Sequence, residues 1–239
     1  MKRIKRGLLA ALFAASLCSV FSANAQEATI RKNLAERIPQ LGKIDEISKS
    51  PMPGLFEVRT GTDILYTDAE ANYIIQGSLI DARQRRNLTE ERTEKLLQVD
   101  FSALPVKDAF TIVRGNGKRK MAVFEDPNCG YCKRFERDLQ KLDNVTIHMF
   151  LYPILGPESA DKSRNIWCAK DKGRAWLDWM VRDQAPAPAT CDTGALARNL
   201  EFGKKHKITG TPTLVFADGS RVPGAVPVAQ VEKFLTEAK

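Results

Sequence analysis

The sequence predicts an α+β N-terminal domain, a linker helix and an α/β C-terminal domain carrying a helical insertion. Three observations predict it. Residues 28–82 combine one helical apolar pattern with short strand-like runs. Residues 83–100 are dense in charge. From about residue 105 strand and helix patterns alternate, and a Cys-x-x-Cys follows one of the strands directly.

The chain has 239 residues. Lys2, Arg3, Lys5 and Arg6, the apolar run Leu8–Phe21 and Ala23-Asn24-Ala25 have the three-part layout of a secretory signal, so residues 1–25 are expected to be removed. Removing these four basic residues and no acids takes the net charge from +8 to +4. A charge this modest gives no argument for nucleic acid. Cys18 leaves with the signal, and Cys129, Cys132, Cys168 and Cys191 remain. An even count in an exported chain suggests disulfides. Pairing 129–132 and 168–191 is the simplest of the three connectivities that four cysteines allow.

In the N-terminal domain (26–82), Ile30, Leu34, Ala35 and Ile38 recur at helical spacing. Leu55–Thr60, Ile64–Thr67 and Tyr73–Gly77 read as strands, separated by turns at Gly61-Thr62-Asp63 and Asp68–Asn72. A unit this small buries little surface alone and calls for a partner. The linker helix (83–104) is marked by Arg83, Arg85, Arg86, Glu90, Glu91, Arg92, Glu94 and Lys95, with Asn87 and Glu90 as an approximate capping box. A solvated helix on a domain surface accounts for the same charges. In the C-terminal domain (105–239), Ala109–Arg114 and Lys120–Glu125 read as a hairpin through Gly115-Asn116-Gly117. A helix follows with Phe135, Leu139 and Leu142 on one face, then a strand at Val145–Tyr152. Residues 158–182 read as largely helical and Thr193–Lys205 as a helix. Thr213–Ala217 and Arg221–Val222 pair through Asp218-Gly219, and Val228–Ala238 is a closing helix. This order is that of a thioredoxin-like domain with an insertion.

The chemistry centres on Cys129-Gly130-Tyr131-Cys132. A Cys where a strand passes into a helix sits among unpaired backbone N–H groups at the positive end of the helix dipole. Its thiolate is favoured, which makes Cys129 the candidate nucleophile and a good leaving group. Cys132, one turn inside, is the candidate resolving thiol. A zinc site would need two more ligands, and neither His148 nor His206 has ligand spacing, so no metal and no cofactor is expected. Thr211-Pro212 precedes the strand Leu214-Val215-Phe216, where thioredoxin-like folds place a cis proline opposite the Cys-x-x-Cys. A proline there leaves a free edge on which an extended peptide can lie. Trp167, Trp176 and Trp179 read as packing residues, Asp126 equally as a polar loop residue or an electrostatic modulator, and Glu125 can face either way.

Several segments together carry a resemblance: Tyr73-Ile74-Ile75-Gln76-Gly77, Phe124-Glu125-Asp126-Pro127-Asn128 running into Cys129-Gly130-Tyr131-Cys132, Ile166-Trp167-Cys168-Ala169-Lys170-Asp171-Lys172, Thr190-Cys191-Asp192, Gly210-Thr211-Pro212 and Val222-Pro223-Gly224. By these, the chain after residue 25 resembles the DsbC/DsbG family of bacterial periplasmic disulfide isomerases. Gly130-Tyr131 is the pair shared by its DsbC branch. The resemblance implies a periplasmic, V-shaped homodimer in which residues 26–82 are the dimerisation domain. The cleft between two arms would hold misfolded disulfide-containing secreted proteins. A membrane thiol reductase of the DsbD type would keep Cys129 and Cys132 reduced, and Cys168–Cys191 would be a structural disulfide. The basic run Arg83-Gln84-Arg85-Arg86 departs from the family's linker. Two other functions stay open: a DsbG-like reductase of oxidised cysteines, or a net oxidant, on the same fold; and a holdase chaperone with secondary redox activity.

Overall fold

The computed structural model describes residues 25–238, so the expected signal segment lies outside them except for Ala25. The chain divides into two compact units, one up to Leu96 and one from Leu97.

In the first unit helix α1 (25–37) lays Ile30 and Leu34, both 0% exposed, against Phe56, Val58 and Leu65. Those three come from an antiparallel four-stranded sheet of β1 (Glu46–Lys49), β2 (Phe56–Thr60), β3 (Asp63–Thr67) and β4 (Ile74–Ile75), in that order. The register Val58↔Leu65 puts apolar side chains of adjacent strands on one face, the period of two doing the sorting. The edge strand β1 was not expected. Its four residues, Glu-Ile-Ser-Lys, carry one apolar side chain, Ile47, which packs on the core.

The expected helix over 83–104 is shorter than the charge pattern implied. Arg83–Arg86 belong to a small hairpin of β5 (Ile80–Asp81) and β6 (Arg86–Asn87), whose turn is held by Asp81 Oδ1 accepting the Arg83 and Gln84 amides. Helix α2 (Leu88–Leu97) starts after it, with the Asn87 side chain accepting the Glu90 amide at 3.1 Å. Arg92 pairs with Glu46 at 2.7 Å and Glu57 at 3.0 Å, so most of α2 lies on the surface of the first unit. Residues 98–104 are not helical continuation but loop and a single 3-10 turn, Phe101–Ala103.

The second unit is built on five strands in the order β11 (Arg221–Pro223), β10 (Thr213–Phe216), β8 (Arg119–Glu125), β9 (Val145–Leu151), β7 (Phe110–Arg114). Only β8 and β9 run parallel, joined through α3 (Gly130–Leu139). The expected hairpin of β7 with β8 is not formed. β9 lies between them, antiparallel to β7 and parallel to β8. The Gly115–Gly117 turn instead clasps the start of β9: Asn144 Oδ1 accepts the Asn116 amide, and Thr146 donates to the Gly117 carbonyl at 2.7 Å. Gly115 has φ +53, and a Cβ there would lie 2.9 Å from the Asn144 amide nitrogen, so the turn that looked like a hairpin needs its glycine for this crossing.

Alternate residues of β8 face opposite layers. Met121 and Val123 pack with α3, α5 (Lys172–Arg182) and α7 (Val228–Glu237). Ala122 and Phe124 pack with Phe150, Val215 and the α6 (Gly194–Lys205) residue Phe202, whose ring stacks on Phe124 at 5.8 Å. The insertion is two helices, α4 (Pro157–Trp167) and α5, broken at 168–171. Cys168 and Cys191 are joined by a disulfide, which ties the end of α4 to the segment entering α6. Among the described residues no helix is long and apolar enough to cross a membrane.

Candidate active site

Cys129 is the N-cap of α3, with φ −75 and ψ 114. Its Sγ accepts the Cys132 amide at 3.3 Å, taking the place a serine or aspartate oxygen fills at other helix starts. The Cys129 Sγ also lies 3.3 Å from the Thr211 carbonyl, to which it can donate as a thiol. The Cys129 pKa is lowered from 9.0 to about 6, first by a hydrogen bond with the Cys132 side chain, then by the Thr211 side chain and the Cys132 and Tyr131 backbone amides, against burial that opposes it. Cys132 is 0% exposed, and burial drives its thiol strongly upward. Both thiols are free. The outer cysteine is therefore primed as thiolate and the inner one held as thiol, the asymmetry that attack followed by resolution needs.

The loop before Cys129 is braced on all sides. Asp126, 0% exposed, accepts the Asn128 amide at 2.7 Å, the Ser159 hydroxyl at 2.8 Å and the Leu155 amide at 2.9 Å. Trp179 donates its indole N–H to the Pro127 carbonyl at 2.6 Å, and Lys162 donates to Asn128 Oδ1 at 2.7 Å. Asp126 and Trp179 thus have loop-holding contacts; Trp176 is in the core, and Trp167 donates to the Asp192 carbonyl. Gly130 has open space around its Cα, and Tyr131 is 67% exposed beside the dithiol.

Thr211–Pro212 is a cis peptide on the loop facing Cys129. The strand it enters, β10, is flanked by both β8 and β11, so the free edge expected there is confined to the loop segment just ahead of Thr213.

Four residues close to the site were not singled out from sequence: Glu136, Arg114, Lys162 and Lys133. Glu136 falls four residues after Cys132 on the apolar stripe of α3, where an acid is out of pattern. Glu125, left unplaced, follows Met121 and Val123 at strand period and turns inward. Among the described residues no cluster of His, Cys, Asp and Glu is arranged to hold a metal.

A thioredoxin-like sheet, a Cys-x-x-Cys at a helix N-terminus and a cis proline loop beside it define a thiol–disulfide exchange protein. Residues 87–239 match the family model of a thioredoxin-like domain, and residues 21–90 match that of the disulfide bond isomerase protein N-terminal domain. The chain is 46% identical over 207 residues to a probable thiol:disulfide interchange protein DsbC of Bordetella parapertussis, covering 87% of this chain and 73% of the relative. It is 31% identical over 229 residues to the thiol:disulfide interchange protein DsbC of Escherichia coli K12, covering 93% of each. A crystal structure of a disulfide interchange protein from Neisseria gonorrhoeae aligns with TM-score 0.54 and 38% identity, over 56% of this chain and 98% of that one. The chain belongs to the DsbC family of thiol:disulfide interchange proteins and is a thiol:disulfide isomerase.

Proposed function

We propose that the protein isomerises wrong disulfides in exported proteins, with Cys129 as nucleophile and Cys132 as resolving thiol. The observation that carries this is the split between the two thiols, one lowered to about 6 at the helix cap and the other buried and raised. The Cys129 thiolate attacks a client disulfide, and the departing client sulfur leaves with the electron pair. A second client thiol then displaces Cys129 and closes a new client disulfide, which is isomerisation. Attack by Cys132 on the same mixed disulfide closes Cys129–Cys132 and releases a reduced client. Thr211 and Pro212 line the loop that receives the extended client backbone, with Gly130 leaving room and Tyr131 offering an exposed ring. Cys168–Cys191 serves as the structural disulfide.

The working form in this reading is a periplasmic homodimer paired through residues 26–82, with α2 as part of the connector. The clients are misfolded secreted proteins bound with a chaperone-like grip. A membrane thiol reductase of the DsbD type returns the dithiol to its reduced state. The Gly130-Tyr131 pair and the matching N-terminal domain support this over a DsbG-like reductase or a pure holdase.

The test is reactivation of a scrambled multi-disulfide protein in glutathione buffer, with Cys129→Ser as control. Recovery that depends on Cys129 is expected. Rapid oxidation of a reduced peptide without reactivation would replace the isomerase reading by an oxidase. Inactivity in both, with client aggregation suppressed, would replace it by a chaperone.

A further inference from the structure

Two buried carboxyls lie under the dithiol. Glu125 ends β8 on the face of Met121 and Val123, the face that packs against Cys132 and Phe135. It is 0% exposed, and no donor reaches either carboxyl oxygen in good geometry. Its carboxyl abuts Cys132 and the carboxyl of Glu136. Glu136, 1% exposed, accepts the Trp176 indole N–H at 2.9 Å on one oxygen and nothing on the other. Arg114, from β7, acts on Glu136 electrostatically and has one unpaired buried nitrogen.

Burying such a pair is costly, and an apolar side chain at 125 would pack as Val123 does. Two adjacent carboxyls in one dry site do not both ionise. Burial pushes both upward, Glu125 the further. The Trp176 N–H and Arg114 favour the charge on Glu136, so Glu125 keeps the shared proton. The groups facing the pair are Cys129 and Cys132 at the start of α3, Trp176 on α5 and Arg114 on β7.

We infer that Glu125 and Glu136 form a proton relay for Cys132, dedicated to the branch in which Cys132 resolves the mixed disulfide. The inference rests on Cys129 being the nucleophile. The Cys132 S–H proton moves to Glu125 as the proton already on Glu125 passes to Glu136. The Cys132 sulfur pair forms the Cys129–Cys132 bond, and the bond from Cys129 to the client breaks. Its electron pair leaves on the client sulfur, which takes a proton from solvent. The client gains two electrons and the dithiol loses two. One added proton stays on the carboxyl pair until the dithiol is reduced again.

The timing is built in. While Cys129 is a thiolate, its charge disfavours ionisation of Glu125. A mixed disulfide at Cys129 is neutral, so the obstacle disappears when the resolving step falls due. Displacement by a client thiol never uses the Cys132 proton, and isomerisation bypasses the relay.

The experiment mixes reduced protein with excess oxidised glutathione, quenches with acid at intervals and follows the Cys129–glutathione adduct by mass spectrometry across pH. In Glu125→Gln the adduct persists, its resolution slowed by about a hundredfold, while recovery of a scrambled client is retained. Glu136→Gln moves the pH midpoint of resolution. Resolution at wild-type rate and wild-type pH profile in both variants overturns the relay. So does a loss of isomerase recovery as large as the loss of resolution. An adduct missing even in Cys132→Ser would remove the Cys129 assignment, and this inference with it.

Discussion

The backbone amide of Cys132 points at the sulfur of Cys129 from 3.3 Å. The Cys132 side chain first, and this amide with it, favour the anionic form of Cys129. The resulting pKa of about 6 makes a direct forecast. The rate of Cys129 alkylation by iodoacetamide should rise with pH through a midpoint near 6 and level off above it, with Cys132 unmodified throughout. The same shift affects stability. An acid whose pKa is lowered on folding stabilises the native state where it is ionised. The reduced protein should therefore gain stability as pH rises from about 6 towards 9, by a few kcal/mol in total, and lose that gain on acidification. Cys129→Ser should remove this pH dependence from urea unfolding. An unchanged slope in the Ser variant would contradict the lowered pKa.

The bridge between Cys168 and Cys191 spans 23 positions and fastens the insertion that carries Ser159, Lys162 and Trp179. Closing a loop of this length stabilises by about 3 kcal/mol in the chain-entropy account. Replacing both cysteines by serine should lower the melting temperature of the second unit's transition. At low temperature, where the fold persists, the Cys129 alkylation midpoint should stay where it was.

Much of this site was legible because its signals are local. Cys129 and Cys132 are three apart at a strand-to-helix junction, and a rule about helix ends suffices to rank them. Pro212 was legible by its place before a strand. What was not legible depended on sheet order. Gly115-Asn116-Gly117 has good hairpin chemistry, yet β9 enters between β7 and β8, a long-range pairing that turn propensity cannot weigh. Arg83–Arg86 looked like helix because charge runs have no period of their own, and Asp81 turned them into a hairpin. Glu125 and Glu136 are far apart in pattern terms, one on a strand and one on a helix. Only the packing of α3 on β8 brings them together.

Asp126 accepts two amides and a hydroxyl while fully buried. Asparagine has one acceptor oxygen, and its NH2 would face a donor. Asp126→Asn should therefore destabilise the second unit by about 2–4 kcal/mol, since a buried donor is left unmet and a charge-assisted bond is lost. Ser159→Ala removes only one of the three contacts and should cost about 1 kcal/mol. Chemical denaturation of both variants checks the order. Equal losses would mean that the carboxylate is not the hub of the loop.

Trp179 brings the last of these expectations closest to the chemistry. Its N–H holds the Pro127 carbonyl, and its ring lies under two ammonium groups, Lys133 Nζ at 3.7 Å and Lys162 Nζ at 4.2 Å from the centroid. Lys162 in turn holds Asn128, the residue before Cys129. Trp179→Phe keeps a ring for both lysines and removes the hydrogen bond, so it should cost about 1 kcal/mol. Trp179→Ala removes the ring as well and should cost about 3 kcal/mol or more. The loop then loses two of its braces, and the geometry that aims the Cys132 amide at Cys129 loosens. The Cys129 alkylation midpoint should rise from about 6 towards its ordinary value in Trp179→Ala and stay close to 6 in Trp179→Phe. A destabilised Ala variant with an unmoved midpoint would show that α3 alone sets the thiolate, and that the insertion only supports the fold.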